Sequence, residues 1–342
     1  MNILREHPSI VKEIIRKKGV ISVQGDRGVG KTRFCKELLI SASQNKIKAA
    51  YIDAEIARGI IEAPGTVSLA IIDTEITTLR DLKRKDWSFI GALNPIGHGI
   101  NLIYSIQKMV NRAKSEGCEI IVIDSCGFID YKDVVIFKQN ELEILNPDFI
   151  VAIQRSHEIE FLICPFLRRS NVICCLLEAK DVSSYSKEIE EANLKADFAT
   201  KFRGMETHIM PISQASFTNT WLYNGRELKW QYKNAVSKIL GSEVFHAEVA
   251  CKTLFIFSRA NIDEKKKIQI SEILKIDQIV IQSPDIFHNL YVGLEDELGN
   301  LLGLGIIENM LFDKKQIVIK SNILTVSPVK NIKFGFISLP GV

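Results

Sequence analysis

The stretch Gly25-Asp26-Arg27-Gly28-Val29-Gly30-Lys31-Thr32 fits the spacing Gly-x-x-x-x-Gly-Lys-[Ser/Thr], and the chemistry of that spacing is the holding of a polyphosphate. Glycines at these places let successive backbone N–H groups turn inward on phosphate oxygens, and a helix starting there adds its positive end. Lys31 is placed to reach the β and γ phosphates and the Thr32 hydroxyl to hold Mg²⁺, with Arg33 continuing the same segment. Acids accompany the loop. Asp124 closes the apolar run Ile120-Ile121-Val122-Ile123 and has the form of a metal-side acid, so Thr32 and Asp124 make the candidate metal pair. Asp53 and Glu55 follow another apolar run, and their spacing sends both side chains off the same side of an extended chain. Phosphoryl transfer needs a carboxylate that orients or deprotonates the nucleophile. Asp53 or Glu55 suits that task, and each also suits the plainer one of capping a strand or helix.

Such residues act together only if the chain brings them to one place. Residues 19–24 are apolar and β-branched enough for a buried strand, and residues 33–40 carry apolar positions at helical spacing, which is the strand–loop–helix setting the motif requires. Residues 8–18 predict a short amphipathic helix ahead of them. Further apolar runs over 48–53, 66–72, 120–123, 149–153 and 172–177 alternate with helical patterns and loops, among them a charged connector over 80–86 and a helix from His98-Gly99 to about Lys114. The alternation predicts an α/β fold: a P-loop NTPase parallel sheet with helices on both faces. Ligands of such sheets collect at the carboxyl ends of the strands, where the glycine loop, Asp53 and Asp124 all lie. From about residue 206 the rhythm changes to short strands over 255–257, 278–281, 290–294, 303–307 and 316–319, with Leu298-Gly299-Asn300 as a hairpin turn and one charged helix over 263–275. The expected organisation is a P-loop domain over 1–205, its N-terminal helix over 1–18, and a smaller β-rich C-terminal domain over 206–342.

Composition narrows the class. The 342 residues are 25% charged and 46% hydrophobic with a net charge of +3, so no overall basic character announces nucleic acid and any such binding is local. Seven cysteines without a Cys-x-x-Cys pair argue against structural zinc or a disulfide framework and suit a reducing cytoplasm. The first residues carry no signal-peptide pattern, and no apolar run is long enough to span a membrane, so a cytoplasmic protein is expected.

Several segments together resemble the Clp1/Grc3 family of polynucleotide 5′-hydroxyl kinases. Asp53-Ala54-Glu55 with Pro64-Gly65-Thr66-Val67-Ser68-Leu69 is similar to that family's Asp-x-Asp … Pro-Gly-Thr-Val-Ser-Leu segment. Phe89-Ile90-Gly91 with Asn94-Pro95-Ile96-Gly97-His98 resembles its Phe-x-Gly … Ser-Pro-x-Gly-His. Asp124-Ser125-Cys126-Gly127-Phe128 resembles its Asp-Thr-Ser-Gly-aromatic clasp, and Pro147-Asp148 through Gln154-Arg155 resembles its Pro-Asp-x-Val-x-Leu-Gln-Arg strand. The likeness covers 19–204 and, more loosely, 286–338, in the manner of archaeal members without the N-terminal β domain of eukaryotic ones.

The resemblance implies ATP at residues 25–32, Mg²⁺ near Thr32, and Asp53 as the group that activates the 5′-hydroxyl of single-stranded or end-accessible RNA or DNA, with RNA-processing proteins as partners. It implies that Ser125, Cys126, Gly127 and Phe128 hold the acceptor end, with Phe128 stacking a terminal base. His98 either lines the site or caps its helix. Three departures stand out. Ala57-Arg58 replaces Gly-Gln, Glu55 replaces the second Asp, and the lid stretch 182–195 has no arginine, with Glu190 and Leu194 where arginines are expected. Lys187 is the expected catalytic substitute in the lid, with Lys195, Arg168, Arg169 and Arg58 as others. The alternative is a catalytically weak ATP-binding scaffold of an RNA-processing complex. A regulatory GTPase is disfavoured because no Asn-Lys-x-Asp segment occurs.

Overall fold

Strands that read as continuous apolar runs are those buried on both faces, and the computed structural model, which describes residues 6–127, 132–179, 187–261 and 263–339, places them at the centre of one sheet. The chain forms two compact units, Met1–Lys201 and Phe202–Val342, so the boundary expected at 205/206 falls just inside the second.

The first unit runs α1 His7–Lys17, β1 Gly19–Gly25, α2 Lys31–Gln44, β2 Ala49–Asp53, β3 Thr66–Ile72, β4 Arg84–Phe89, α3 Gly99–Ser115, β5 Ile120–Asp124, α4 Lys132–Leu145, β6 Phe149–Gln154, α5 Glu160–Ile163, β7 Ile173–Glu178 and α6 Lys187–Lys201. Its seven-stranded sheet has the order β4-β3-β2-β5-β1-β6-β7. Five strands, β2-β5-β1-β6-β7, are parallel to their neighbours as expected. The run over 66–72 is not: β3 is antiparallel to both β2 and β4. Residues 54–65 between β2 and β3 contain no helix, and without a covered crossover the chain returns beside the strand it has just left. The charged connector expected over 80–86 holds only in its first half; Arg84, Lys85 and Asp86 open β4, and charge on that edge discourages further pairing.

Period-2 alternation sorts the strand residues between two helix layers. Ile21, Val23, Tyr51, Val122 and Val151 face α1 and α2, packing with Ile10, Ile14, Phe34 and Leu38. Val20, Ile52, Ile121 and Ile123 face α3, packing with Leu102, Ile106 and Met109. Asp53 and Asp124 share the parity of Tyr51 and Val122, which turns both toward the α2 side. They are also direct partners in the β2–β5 register.

The second unit holds a six-stranded sheet, β8-β16-β15-β14-β17-β9, and a four-stranded one, β10-β11-β12-β13. Its elements are β8 Glu206–Pro211, β9 Ser216–Thr218, β10 Arg226–Glu227, α7 Trp230–Leu240, β11 Val244–Ala250, β12 Thr253–Ser258, α8 Glu264–Leu274, β13 Gln278–Gln282, β14 Leu290–Glu295, β15 Leu301–Leu311, β16 Gln316–Ser321 and β17 Asn331–Ser338. The β-rich expectation holds, and β14–β15 is the hairpin around Leu298-Gly299-Asn300. Helix α7 has no counterpart in the expected elements, because only Val236 and Leu240 are buried along it and the usual long apolar stripe is missing. Among the described residues, no helix is long and apolar enough to cross a membrane.

Candidate functional site

The phosphate loop leaves β1 at Gly25 and enters α2 at Lys31. Gly30, at the N-cap of α2, has φ 100°, a conformation that only glycine adopts without strain. Lys31 is 6% exposed; its Nζ donates to the Asp26 carbonyl at 2.9 Å and lies 3.8 Å from Glu55 Oε2. Glu55, 16% exposed, also accepts the Gly127 N–H at 2.7 Å. A Cβ at Gly127 would stand 2.5 Å from Lys31 Nζ and 3.0 Å from Glu55 Oε2, so a side chain there would push both of these groups aside. Loop lysine, acid and clasp backbone therefore meet at one point.

Beneath them lies a second cluster. Asp124 Oδ2 accepts the Thr32 hydroxyl at 2.6 Å and the Tyr51 hydroxyl at 3.0 Å. Asp53 Oδ2 accepts the N–H groups of Ile60 and Ile61 at 2.6 and 3.2 Å, hooking the β2–β3 connection back onto the strand end. Burial, with the Asp124 charge beside it, pushes the Asp53 pKa up to about 7 against the pull of those two N–H groups. Burial likewise raises the pKa of Asp124, opposed by the Lys31 charge and the Thr32 hydroxyl. Oδ1 of Asp53 and Oδ1 of Asp124 are both buried and find no hydrogen-bond partner among the described residues.

Those two orphaned oxygens test whether a metal fits. No group of three or more His, Cys, Asp or Glu stands together among the described residues, so a metal caged wholly by such side chains is not expected. Mg²⁺ asks for less: hard oxygen donors, one or two carboxylates, and the phosphates it shares with the protein. Two adjacent carboxylates with free oxygens beside a threonine hydroxyl suit it.

The other expected residues are placed less uniformly. Asp26 is held by Arg155, Nη1 to Oδ2 at 2.7 Å, and Arg155 Nη2 also donates to the Arg27 carbonyl, so a residue just past β6 braces the phosphate loop. Arg33 pairs with Glu37 along α2 at 3.1 Å. Val29, Gly30 and Arg33 line a cavity of about 140 Å³ together with the apolar Phe34, Ile153, Leu177 and Ala179 and the polar His7, Glu37 and Glu178. The Ser125 hydroxyl, expected on the acceptor, is buried and donates its one proton toward the Val23 carbonyl at 2.6 Å, with Gln24 Oε1 also within reach at 3.0 Å. Cys126 is buried in the α3-side core. Of the clasp side, the backbone of Gly127 comes to the site, and Phe128 lies outside the described residues. His98 takes the N-cap position of α3 without a side-chain capping bond, and burial lowers its pKa.

In the lid, the Lys187 side chain lies outside the described residues. Glu190 of α6 approaches Arg58, Oε1 to Nη2 at 3.5 Å, and Arg27, Oε2 to Nη1 at 4.0 Å. Arg169 is committed elsewhere, to Glu143 and the Phe166 ring.

The sequence alone did not single out Arg155, Tyr51 or Gln24 as site residues. Tyr51 carried a signal, because it precedes Asp53 by one strand period and so shares its face. Gln24 carried none: its Nε2 donates to Ser22 at 2.9 Å and to Glu141 Oε1 at 2.8 Å, and Glu141 is in turn buried against Lys138 at 3.3 Å.

A polyribonucleotide 5′-hydroxyl-kinase of Pyrococcus abyssi is 26% identical over 326 residues, covering 94% of this chain and 88% of its own length. One of Methanocaldococcus jannaschii is 23% identical over 309 residues, covering 90% and 83%. Among solved structures, wild-type Clp1p in its complex with Pcf11p (454–563) superposes with a TM-score of 0.62 at 12% identity, over 97% of this chain and 77% of that one, which speaks for the fold. Residues 25–202, which hold the loop and every acid described above, match the model of the mRNA cleavage and polyadenylation factor CLP1 P-loop, and the chain belongs to that family.

Proposed function

We propose that the protein is a polyribonucleotide 5′-hydroxyl kinase, moving the γ-phosphate of ATP to the 5′-hydroxyl of RNA. The observation that carries this is the meeting of Lys31, Glu55 and the Gly127 backbone above the Thr32–Asp124–Asp53 cluster. The N–H groups of residues 25–32 hold the β and γ phosphates, and Lys31 turns from Asp26 and Glu55 onto them. The cavity between Phe34, His7 and Leu177 adjoins the loop and takes the base. Thr32, Asp124 and Asp53 are the residues that would hold Mg²⁺, which would supply charge neutralisation to the phosphates. The acceptor oxygen forms a bond to Pγ as the bond from Pγ to the β–γ bridging oxygen breaks, and ADP leaves. Glu55 takes the hydroxyl proton. This assigns to Glu55 the role that the resemblance gave Asp53, because the Asp53 carboxylate is engaged by Ile60 and Ile61 while Glu55 stands beside Lys31.

The test is transfer of label from γ-labelled ATP, with Mg²⁺, to a 5′-hydroxyl RNA oligonucleotide and to its DNA counterpart. Labelled RNA that disappears with Lys31→Ala is the expected result. ATP binding without transfer to any acceptor, or transfer that survives Lys31→Ala, overturns the assignment.

A further inference from the structure

Two arginines from different segments converge on one carboxylate at the phosphate loop. Arg27 belongs to the loop itself. Arg58 closes the turn that begins at Glu55, its N–H donating to the Glu55 carbonyl at 3.0 Å, and so it is anchored to the residue beside Lys31. Between them stands Glu190, one oxygen toward Arg58 at 3.5 Å and the other toward Arg27 at 4.0 Å. A carboxylate with one oxygen directed at each of two guanidinium groups occupies an anion site. A phosphoryl group has three oxygens and more charge to offer the same donors, and guanidinium planes match it by paired hydrogen bonds.

We propose that Arg58, assisted by Arg27, is the cationic group that binds the γ-phosphoryl oxygens during transfer, and that Glu190 is its internal stand-in, displaced when ATP enters. The proposal rests on the kinase reading above and adds nothing to its balance of bonds and protons. Arg58 neither gives nor takes a proton; it meets charge that grows on the equatorial oxygens. The arrangement inverts the usual division of labour in such sites. The lid helix α6 carries the acid, and the arginines sit on the core of the first unit. The three side chains are 36–44% exposed, and an ion pair so exposed holds little free energy, so the phosphate displaces Glu190 readily.

The test compares the intact protein with Arg58→Ala, Arg58→Lys and Glu190→Gln, reading kcat, KM for ATP, and the dissociation constants of ATP and ADP separately. Arg58→Ala is expected to lower kcat on the order of 10³-fold, with ADP affinity unchanged and ATP affinity reduced. Arg58→Lys recovers only part, since a point charge lacks the planar fork. Glu190→Gln is expected to tighten ATP and leave ADP as it was. If the arginine and the acid only held the fold, both variants would lose activity and ADP affinity together. A kcat for Arg58→Ala within threefold of the parent, or an ATP-to-ADP affinity ratio unmoved by both Arg58→Ala and Glu190→Gln, overturns the proposal. Should the parent protein transfer no label at all, the kinase reading fails while the affinity ratio still decides whether Arg58 and Glu190 form a γ-phosphate site.

Discussion

Glu55 Oε2 lies 3.8 Å from Lys31 Nζ, and the same oxygen accepts the Gly127 N–H at 2.7 Å. Glu55 is therefore ion-paired with the loop lysine and fixed by the Gly127 backbone, and in the proposed reaction it keeps the second contact while Lys31 turns to the phosphates. Glu55→Gln keeps the size and the hydrogen bond but cannot take a proton. Its kcat is expected to fall about 10²–10⁴-fold with ATP affinity little changed. Steady-state kinetics on a 5′-hydroxyl RNA decide the matter: a fully active Glu55→Gln beside a dead Asp53→Asn would move the proton back to Asp53.

Asp53 makes stability depend on pH. Its pKa rises from 3.8 in the open chain to about 7 in the fold, so between those values the folded state keeps a proton the unfolded state has lost. Stability then falls as pH rises through this window and levels off above pH 7. A tenfold difference in proton affinity between the two states is worth about 1.4 kcal/mol, so the decline is on the order of a few kcal/mol. Urea unfolding of the protein in chelator at pH 5, 6, 7 and 8 should show the decline, and Asp53→Asn should make it shallower, with Asp124, whose pKa burial also raises, contributing the remainder. A parent protein equally stable at pH 5 and pH 8 contradicts this.

Tyr51 donates to the same Asp124 oxygen as Thr32. Losing an outer partner of this kind costs metal affinity by about 10- to 100-fold in other sites. Tyr51→Phe should accordingly raise the Mg²⁺ concentration needed for half-maximal transfer by roughly tenfold, leaving the rate at saturating Mg²⁺ near that of the parent. A Mg²⁺ titration of initial rates separates this from a general loss of activity.

Lys138 and Glu141 form a buried ion pair on α4, 1% and 0% exposed, and Glu141 also accepts from Gln24. Lys138→Met leaves that carboxylate uncompensated and should cost about 3–5 kcal/mol. Adding Glu141→Gln removes the stranded charge while keeping an acceptor for Gln24, and should recover most of the loss. Chemical unfolding of the single and double variants reads this directly; a single variant within about 1 kcal/mol of the parent would show that the pair does not hold a compensated charge.

What could be read along the chain was whatever is written in contiguous residues. The phosphate loop, the strand-end positions of Asp53 and Asp124, and the hairpin at Leu298-Gly299-Asn300 follow from local spacing, because a strand alternates every two residues and a glycine turn needs no distant partner. Which acid meets Lys31 was decided elsewhere. Asp53 and Glu55 leave the same side of the chain, and it is the return of residues 60 and 61 over the strand end that engages one carboxylate and leaves the other at the loop. The inward turn of Ser125, the brace from Arg155, the reversal of β3 and the approach of Glu190 to Arg58 were likewise settled by contacts between segments far apart in sequence. Local pattern fixes what a residue can do and, within a regular strand, which face it leaves; only packing of distant segments fixes what it finds there.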